Sequence, residues 1–330
     1  MRIHLPSRFF VSKRTLFITL AVIVGLVSVY LIFLAPPRDF PRGAIVTIPD
    51  GSSVAEAATL LTDHHLVRFS KVLESLIRLR SFGSSSGKAS VVVAGDYAFP
   101  QPESTLTIAE RLARGEYGIA PIKLTIPEGA NTFDIAEILT KQIPNFDTKT
   151  FITLAQPREG YLFPDTYYFQ PTWTPERLIR TMEKQFWTAT KSLAPLIAKS
   201  GRTPEQVVIM ASILEREAHT TEARRTIAGI LWKRLDQGMP LQVDATFAYF
   251  TDKNTFELSL KDLATSSPYN TYRYRGLPIG PIANPGLDSL TTALTPIASD
   301  YWFYLSDRAG NFHYAIDFAA HKHNKAIYLP

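Results

Sequence analysis

Two glutamates near the end of one predicted helix could perform acid–base chemistry. Thr203, followed by a proline and, three positions after the threonine, by Gln206, is typical of a helix start, and the apolar spacing predicts a helix over residues 204–218. Glu215 and Glu217 lie near its end, on opposite margins of the apolar stripe, because two residues advance an α-helix by about 200°. The two carboxyl groups therefore cannot share one site as a dyad.

Glu217 is the better candidate for a general acid. It follows Ile213 and Leu214 by about one helical turn, and an apolar wall raises the pKa of a carboxyl group by disfavouring its charged form. A carboxyl group that keeps its proton near neutral pH is what general-acid catalysis requires. The alternative is a solvated helix end in which Glu215 pairs with His219, four residues further on.

Three polar strings further along the chain suit a sugar. Residues 241–246 alternate like a strand, residues 269–272 place amide and hydroxyl groups between two tyrosine rings, and residues 276–286 form a stiff loop rich in glycine and proline. Aromatic rings can pack against the weakly apolar faces of a sugar, while amides and hydroxyls bind its edges. Ordinary surface turns with aromatic packing are the alternative. The candidate substrate-binding residues are Gln242, Asp244, Thr246, Tyr269, Asn270, Thr271, Tyr272 and Asn284.

Other common chemistries lack their motifs. The chain has no cysteine, which excludes thiolate nucleophiles, disulfides and cysteine-bound zinc. It also has neither a G-x-S-x-G elbow nor a GxxxxGK(S/T) phosphate loop. The residues that could supply metal ligands are Glu215, Glu217, His219, His313, His321 and His323. No HExxH or comparable spacing joins them, so we predict neither a metal site nor a cofactor.

The composition is that of a globular protein. Hydrophobic residues make up 45% of the chain and charged residues 20%, which excludes a disordered protein. The 330 residues suggest two domains. The net charge of +5 is small and no long basic run occurs, so no nucleic-acid partner is predicted.

The N-terminal segment predicts a membrane anchor. Residues 16–35 carry no charge over twenty positions, and a rise of about 1.5 Å per residue lets such a helix cross a hydrocarbon layer of about 30 Å. No acidic residue precedes Asp39, and the basic residues before the apolar stretch are Arg2, Arg8, Lys13 and Arg14. Because positive charge stays in the cytoplasm, we expect residues 1–15 to be cytoplasmic, one span in the cytoplasmic (inner) membrane, and the remaining chain in the periplasm or outside. A cleaved signal peptide is the alternative, but the apolar stretch is longer than usual and no clear small-x-small site precedes Pro36.

Beyond the anchor the pattern predicts an α+β fold in two parts. The string at residues 47–51 recurs almost unchanged at 125–129, and a helical pattern follows each copy. Two related strand–turn–helix modules would explain the recurrence, and chance reuse of a favourable turn is the alternative. We expect a small α+β module over residues 43–120 and a mixed α/β domain with a helical core over 121–330, in which residues 174–199 form one long helix.

Five strings occur in an order that is specific to one family. They are EGYLFPDTY at 159–167, ASILERE at 211–217, GMPLQVDAT at 238–246, YNTY at 269–272 and the stiff loop at 276–286. With them the chain resembles the endolytic murein transglycosylase family (MltG/YceG-like) over nearly its whole length. The resemblance implies an N-terminal transmembrane helix, a LysM-like module at 43–120 and a transglycosylase catalytic domain at 121–330.

The resemblance also implies a chemistry. The second glutamate of the family's Glu-x-Glu pair falls on Glu217, which is then the catalytic residue, and the supporting residues are Glu215, Asp165, His321 and Asn324. The expected reaction is lytic cleavage of the MurNAc–GlcNAc bond in nascent glycan strands, which leaves 1,6-anhydro-MurNAc ends during cell-wall assembly. Expected partners are peptidoglycan strands, the membrane and, near sites of synthesis, peptidoglycan synthases. A non-catalytic membrane protein that binds peptidoglycan or acts as a scaffold is the alternative.

Overall fold

The fold is mixed α+β, as the sequence predicts. The computed structural model describes residues 13–81, 92–251, 253 and 258–329. Of the predicted cytoplasmic segment, residues 1–12 lie outside the described residues. The chain divides into two compact units, Met1–Ala120 and Pro121–Pro330.

The first unit begins with an apolar helix that buries none of its residues. This helix, α1, covers Lys13–Val29 and continues as a wider helical turn at Tyr30–Leu34. Together these 22 residues have a mean hydropathy of 2.8. In the described part of the chain, it is the one helix whose length and composition would allow it to cross a membrane.

A small α+β module completes the first unit. Its elements are β1 (Ala44–Ile48), α2 (Val54–Asp63), α3 (Ser70–Ser81), β2 (Gly95–Phe99) and α4 (Thr105–Arg114). The two strands pair antiparallel, with Ala44 opposite Phe99. The inward residues of both strands and the apolar faces of the helices form one core, in which Tyr97, Phe99 and Leu61 are fully buried.

The second unit starts with a two-stranded sheet and three helices. These elements are β3 (Ile122–Thr125), α5 (Thr132–Gln142), α6 (Thr148–Ala155), β4 (Thr166–Phe169) and α7 (Pro175–Thr190). The strands pair antiparallel, with Ile122 opposite Phe169. Leu124, Phe151 and Phe169 belong to the core that the helices close over this sheet.

A helical layer and a β-hairpin complete the unit. The elements are α8 (Ala194–Ser200), α9 (Pro204–Glu217), α10 (Thr221–Asp236), α11 (Ala245–Thr251), α12 (Leu260–Leu263), α13 (Leu287–Leu294), β5 (Phe303–Ser306), β6 (Phe312–Ala315) and α14 (Phe318–Tyr328). Every residue of α9 from Val207 to Glu215 is buried, so this helix is the centre of the core and gives its last residues a fixed position.

The two copies of the repeated string have the same local structure. Residues 47–51 lead from β1 into α2, and residues 125–129 lead from β3 into α5. Both helices start with a capping box: the Ser53 hydroxyl accepts the N–H of Glu56, whose carboxylate accepts the N–H of Ser53, and Asn131 heads the equivalent pair in α5. Both copies therefore form a strand, a turn and a helix, as predicted.

The long helix predicted over residues 174–199 is interrupted. Its first part ends at Thr190, a short tight turn follows, and α8 restarts at Ala194. The cause is Pro195, which has no N–H to donate to the carbonyl four residues back and whose ring crowds that carbonyl.

The prediction of a strand over residues 241–246 is wrong. This segment is irregular up to Asp244, and α11 begins at Ala245. Gln242 has a φ of 52°, in the left-handed region that an extended strand does not use. The polar and apolar residues alternate here because an irregular turn buries Leu241 and Val243 and leaves Gln242 and Asp244 beside a cavity.

Candidate active site

Glu217 is the last residue of α9, where the helix leaves the core. The start of α9 is fixed by a capping box between Thr203 and Gln206. At its end Ala218 turns to an extended conformation, while its N–H still donates to the carbonyl of Leu214. The carboxyl of Glu217 therefore extends from a rigid, buried helix and remains only partly buried itself.

Two donors hold the Glu217 carboxyl. The Tyr304 hydroxyl donates to Oε2 at 2.9 Å, and the N–H of Ala245 donates to Oε1 at 3.4 Å. Burial raises the pKa of Glu217 to about 7, and the negative charge of Asp244 adds to this effect. The two hydrogen bonds oppose it, because they favour the charged form. Near neutral pH this carboxyl can both give and take a proton.

Asp244 lies beside Glu217 and has its own partner. The Tyr272 hydroxyl donates to Asp244 Oδ1 at 2.5 Å. Burial raises the pKa of Asp244, while the Tyr272 bond and the positive charge of Lys325 oppose the increase. The site therefore contains two carboxyl groups, each paired with one tyrosine.

Both carboxyls open into a cavity of about 380 Å³. Its lining is mostly polar and combines carboxyl, amide, hydroxyl and basic groups with aromatic rings. The lining residues are Glu217, Arg234, Gln242, Asp244, Tyr272, Phe303, Tyr304, Leu305, Ser306, Phe318, His321, Lys325 and Leu329. Of the residues predicted from sequence, the structure thus brings together Glu217, Gln242, Asp244, Tyr272 and His321.

A basic wall faces the carboxyls. Arg234 is 4% exposed and donates from Nε to the carbonyl of Trp302 and from Nη1 to that of Leu241. The His321 ring stacks on Phe303, with 5.3 Å between the ring centroids. Burial lowers the pKa of His321, and the positive charges of Arg234 and Lys325 add to the effect.

Glu215 lies outside the cavity, in an ion pair. Its Oε1 accepts from Arg224 Nη2 at 2.6 Å, and its Oε2 accepts the N–H of Gly286 at 2.8 Å. Arg224 also binds Asp288 at 2.7 Å. Glu215 therefore joins α9 to α10 and to the start of α13, and its predicted alternative pairing with His219 is wrong.

Four predicted substrate-binding residues are buried and bind the protein itself. They are Thr246, Asn270, Thr271 and Asn284, which are at most 2% exposed. The Asn270 side chain donates to two carbonyls and accepts two N–H groups. The Thr271 hydroxyl accepts the N–H of Val243 at 2.9 Å. In this structure these side chains are bonded to the loops around the cavity.

Three further predicted residues lie away from the cavity lining. Tyr269 packs on the ring of Tyr249, with centroids 4.8 Å apart. Asp165 accepts from Gln185 at 2.8 Å on the surface beside β4 and α7, and Asn324 donates to the carbonyl of Tyr314 at 3.3 Å. In this geometry the contacts of all three are with other residues of the protein.

Eight residues that line the cavity were not predicted from the sequence, and three of them carry groups close to the chemistry: Tyr304, Arg234 and Lys325. Tyr304 lies on β5 and Arg234 on α10, and neither belongs to a string that the sequence marks as polar and exposed. Lys325 follows His321 by four residues on α14, and residues so spaced share a helix face. That spacing is the one signal that could have found Lys325.

A second buried glutamate, Glu159, is the centre of a hydrogen-bond network. Glu159 is 4% exposed and accepts from the N–H of Thr132, the amide of Asn284 and the hydroxyl of Tyr249. Burial raises its pKa to about 7. The Asn284 amide oxygen accepts the N–H groups of Gly160 and Leu162 as well. This network ties residues 159–162 to the start of α5 and to the loop before α13.

Within the described residues, no three His, Asp or Glu side chains are grouped closely enough to hold a metal ion.

The chain is similar to several known proteins over most of its length. Residues 46–327 match the model of the YceG-like family. The chain is 30% identical over 319 residues to an endolytic murein transglycosylase of Bacillus subtilis, an alignment that covers 88% of this chain and 86% of that protein. It is also 28% identical to an endolytic murein transglycosylase of Streptococcus pneumoniae. That alignment covers 86% of this chain and 58% of the longer pneumococcal protein. The crystal structure of a yceG-like protein from Listeria monocytogenes matches 86% of this chain and 99% of its own, with 28% identity and a TM-score of 0.56.

Proposed function

This chain belongs to the YceG-like family, and we propose that it is a membrane-anchored enzyme that cuts the MurNAc–GlcNAc bond within nascent peptidoglycan strands and leaves 1,6-anhydro-MurNAc ends. The general activity follows from its relatives. A chain 30% identical to an endolytic murein transglycosylase over 88% of its length is a lytic transglycosylase that acts on peptidoglycan.

The observation that carries the proposal is the state of Glu217. Its carboxyl lies on the wall of a polar cavity, extends from a rigid helix and has a pKa of about 7. A single group that exchanges its proton near neutral pH can act first as an acid and then as a base. This is the requirement of a transglycosylase that uses one carboxyl.

The proposed reaction consumes no water. Protonated Glu217 gives its proton to the glycosidic oxygen, the bond from C1 of MurNAc to that oxygen breaks, and positive charge develops at C1. The C6 hydroxyl of the same MurNAc then forms a new bond to C1, and its proton passes to the Glu217 carboxylate. The products are a GlcNAc end and a 1,6-anhydro-MurNAc end, and Glu217 is protonated again.

Asp244 supports this chemistry in our proposal by raising the pKa of Glu217. Its negative charge disfavours a second charge on the neighbouring carboxyl. Glycoside hydrolases use a second carboxylate as nucleophile or base, and Asp244 is the group in the cavity that could serve a competing hydrolysis. The bond from Tyr272 occupies one of its oxygens, which favours the electrostatic role.

We assign substrate contacts to the cavity residues with free polar surface. Gln242, Tyr272, His321 and Lys325 line the cavity beside Glu217. Amides and hydroxyls there would bind sugar hydroxyl and acetamido groups, and Lys325 would bind a carboxylate or carbonyl of the peptide stem. The buried residues named above would hold these groups in position.

The proposal extends to the first unit. We assign Lys13–Leu34 as an uncleaved anchor with the N-terminus in the cytoplasm, residues 43–120 as a LysM-like, glycan-binding module, and residues 121–330 as the catalytic domain outside the membrane. The length and hydropathy of the helix support the anchor. An anchored enzyme meets glycan where it is synthesised, so a peptidoglycan synthase is the expected partner.

Mass spectrometry of digested glycan strands tests the reaction. The purified full-length protein should produce fragments with anhydro ends, each one water lighter than the reducing-end fragment that a hydrolase produces. The Glu217→Gln variant should bind the strands and leave them uncut. Reducing ends in the wild-type digest would refute the lytic mechanism, and cutting by Glu217→Gln would refute the assigned acid.

A further inference from the structure

The end of α1 is bonded to the module that follows it. The last carbonyl groups of any helix lack donors from the helix itself. Here Arg68 donates from Nη1 to the carbonyl of Leu31 at 2.8 Å and from Nη2 to that of Pro36 at 2.9 Å. The hydroxyl of Thr105, which is 1% exposed, donates to the carbonyl of Phe33 at 3.4 Å. The joint between helix and module is therefore a hydrogen-bonded contact.

Apolar surface continues across this joint. The rings of Phe33 and Phe69 are in contact, with 5.7 Å between their centroids, and both are exposed, at 42% and 44%. Leu106, which follows Thr105 at the start of α4, is 40% exposed. Soluble proteins rarely expose such residues next to one another without a partner.

Basic charge surrounds the same joint. Arg38 and Arg42 are exposed just beyond the end of the apolar helix, and Arg68 is part of the joint itself. The nearby Asp39 is paired with His65 at 2.8 Å. Cationic side chains that follow a membrane span are attracted to lipid phosphates, and aromatic and apolar side chains there enter the boundary between headgroups and acyl chains.

We propose that the face of the module formed by Arg68, Phe69 and Leu106 rests in the headgroup layer of the bilayer that α1 crosses. The inference depends on the membrane anchor of the proposed function. It adds that the module is bound to the lipid surface at the base of the anchor, with Phe69 and Leu106 at the depth of Phe33. Carbonyl groups of the final helical turn, which lipid could not satisfy, are satisfied there by the module.

The absence of cysteine makes the test direct. Single variants Phe69→Cys, Leu106→Cys and Val24→Cys of the full-length protein would each carry a nitroxide label, in discs of phosphatidylethanolamine and phosphatidylglycerol. Leu79→Cys, at the far end of α3 from Phe69 and 70% exposed, is the matched reference. Collision with oxygen reports lipid, and collision with a water-soluble nickel chelate reports solvent.

We expect the ratio of oxygen to nickel collisions at Phe69→Cys and Leu106→Cys to be several-fold higher than at Leu79→Cys and lower than at Val24→Cys. Solvent-like ratios at positions 69 and 106 with a lipid-like ratio at position 24 would overturn the inference, leave the anchor intact and indicate that this face is free for a protein partner. A solvent-like ratio at position 24 would overturn the anchor as well.

A pair of variants tests the hydrogen bonds that Arg68 makes at the joint. Adding Arg68→Ala to Phe69→Cys removes two hydrogen bonds to the end of the helix, so the label should become several-fold more accessible to nickel. Adding Arg78→Ala, which removes an exposed arginine that pairs with Glu74 on the same module, should leave accessibility unchanged. Equal effects of the two substitutions would overturn the role of Arg68. Glycan cleavage by each labelled protein reports folding and remains a separate test of the reaction.

Discussion

Among single residues, the proposed chemistry rests on Glu217, whose environment differs from that of Glu215 two positions earlier. Glu217 faces a cavity and two polar donors, whereas Glu215 is enclosed by Arg224 and the N–H of Gly286. Both Glu215 oxygens are bonded within the core and do not line the cavity. The Glu217 carboxyl does line it, and with a pKa of about 7 it can donate a proton.

Amide substitution should separate these roles. Glu217→Gln should lower the rate of glycan cleavage by at least about 10²–10⁴-fold, the range expected for a general acid, with little loss of melting temperature. Glu215→Gln should instead lower the free energy of unfolding, by up to about 3–5 kcal/mol if the buried pair with Arg224 is lost entirely, and the protein that remains folded should still cut. Steady-state cleavage and thermal unfolding measure the two effects. The reverse pattern would move the acid to Glu215.

The effect of Glu217→Gln on the melting temperature should also depend on pH. The folded protein holds this proton with a pKa of about 7 against an ordinary 4.5, so it binds more protons than the unfolded chain between these values. The Glu217 carboxyl therefore contributes to the free energy of unfolding at low pH, and this contribution is lost as the pH rises through about 7. The melting temperature of Glu217→Gln relative to wild type should increase over that interval, and a flat difference would contradict the raised pKa.

The two tyrosines should shift the pH profile of activity in opposite directions. In wild type, kcat/KM should fall as the pH rises through about 7, because the acid loses its proton. Tyr304→Phe removes a bond that favours the charged carboxylate, so the decline should move to higher pH. Tyr272→Phe makes Asp244 easier to protonate and weakens its repulsion of Glu217, so the decline should move to lower pH. Shifts in the same direction would contradict this electrostatic assignment.

At the scale of elements, the string at 159–167 matters because it is packed against the loop before α13. Gly160 has a φ of 88°, and a Cβ there would lie 2.5 Å from Pro281 Cγ and 2.8 Å from Val208 Cγ1. The network of Glu159 and Asn284 holds the same point. These contacts join the sheet half of the second unit to the buried helix that ends at Glu217.

Two glycines make a matched test of that contact. Gly276 has a φ of 96° and open space around its Cβ position, so Gly276→Ala should lower the free energy of unfolding by about 1–2 kcal/mol from backbone strain alone. Gly160→Ala adds overpacking, which should lower it by a further ~1–3 kcal/mol. Urea unfolding of both variants measures the difference. Equal losses would mean that the backbone at residue 160 moves freely away from Pro281.

At the scale of the whole molecule, the first unit joins an apolar helix to a folded module, and the second unit contains the cavity. The apolar helix is the feature that supports a membrane anchor, because its exposed surface would be unstable in water. An uncleaved anchor and a cleaved signal peptide differ in what remains attached to the enzyme.

The intact chain should be recovered from membranes. Mass spectrometry of the detergent-extracted protein should give the mass of all 330 residues, whereas signal cleavage would remove the apolar stretch. A membrane-impermeant maleimide should label Lys199→Cys in intact spheroplasts and Ser7→Cys only after lysis. Labelling of Ser7→Cys in intact spheroplasts would contradict the positive-inside orientation.

Features that depend on local patterns could be predicted from the sequence. Capping residues located the start of α9 at Thr203, and the repeated string at 47–51 and 125–129 located two strand–turn–helix units. The ordered motifs identified the family, and the spacing of Glu215 and Glu217 on a helix already separated them. These features are encoded within a few residues of one another, where propensity and hydrogen-bonding chemistry are decisive.

Which polar residues face the cavity depends on how the distant parts of the chain pack together. Asn270, Thr271 and Asn284 look like ligand-binding residues in sequence, yet they are buried because loop backbones need partners for their N–H and carbonyl groups. Tyr304 lies 87 residues beyond Glu217 in sequence, and Arg234 reaches the cavity from the helix after α9. The pKa of a carboxyl depends on burial and on neighbouring charges that chain folding brings within a few ångströms, and no local pattern contains that information.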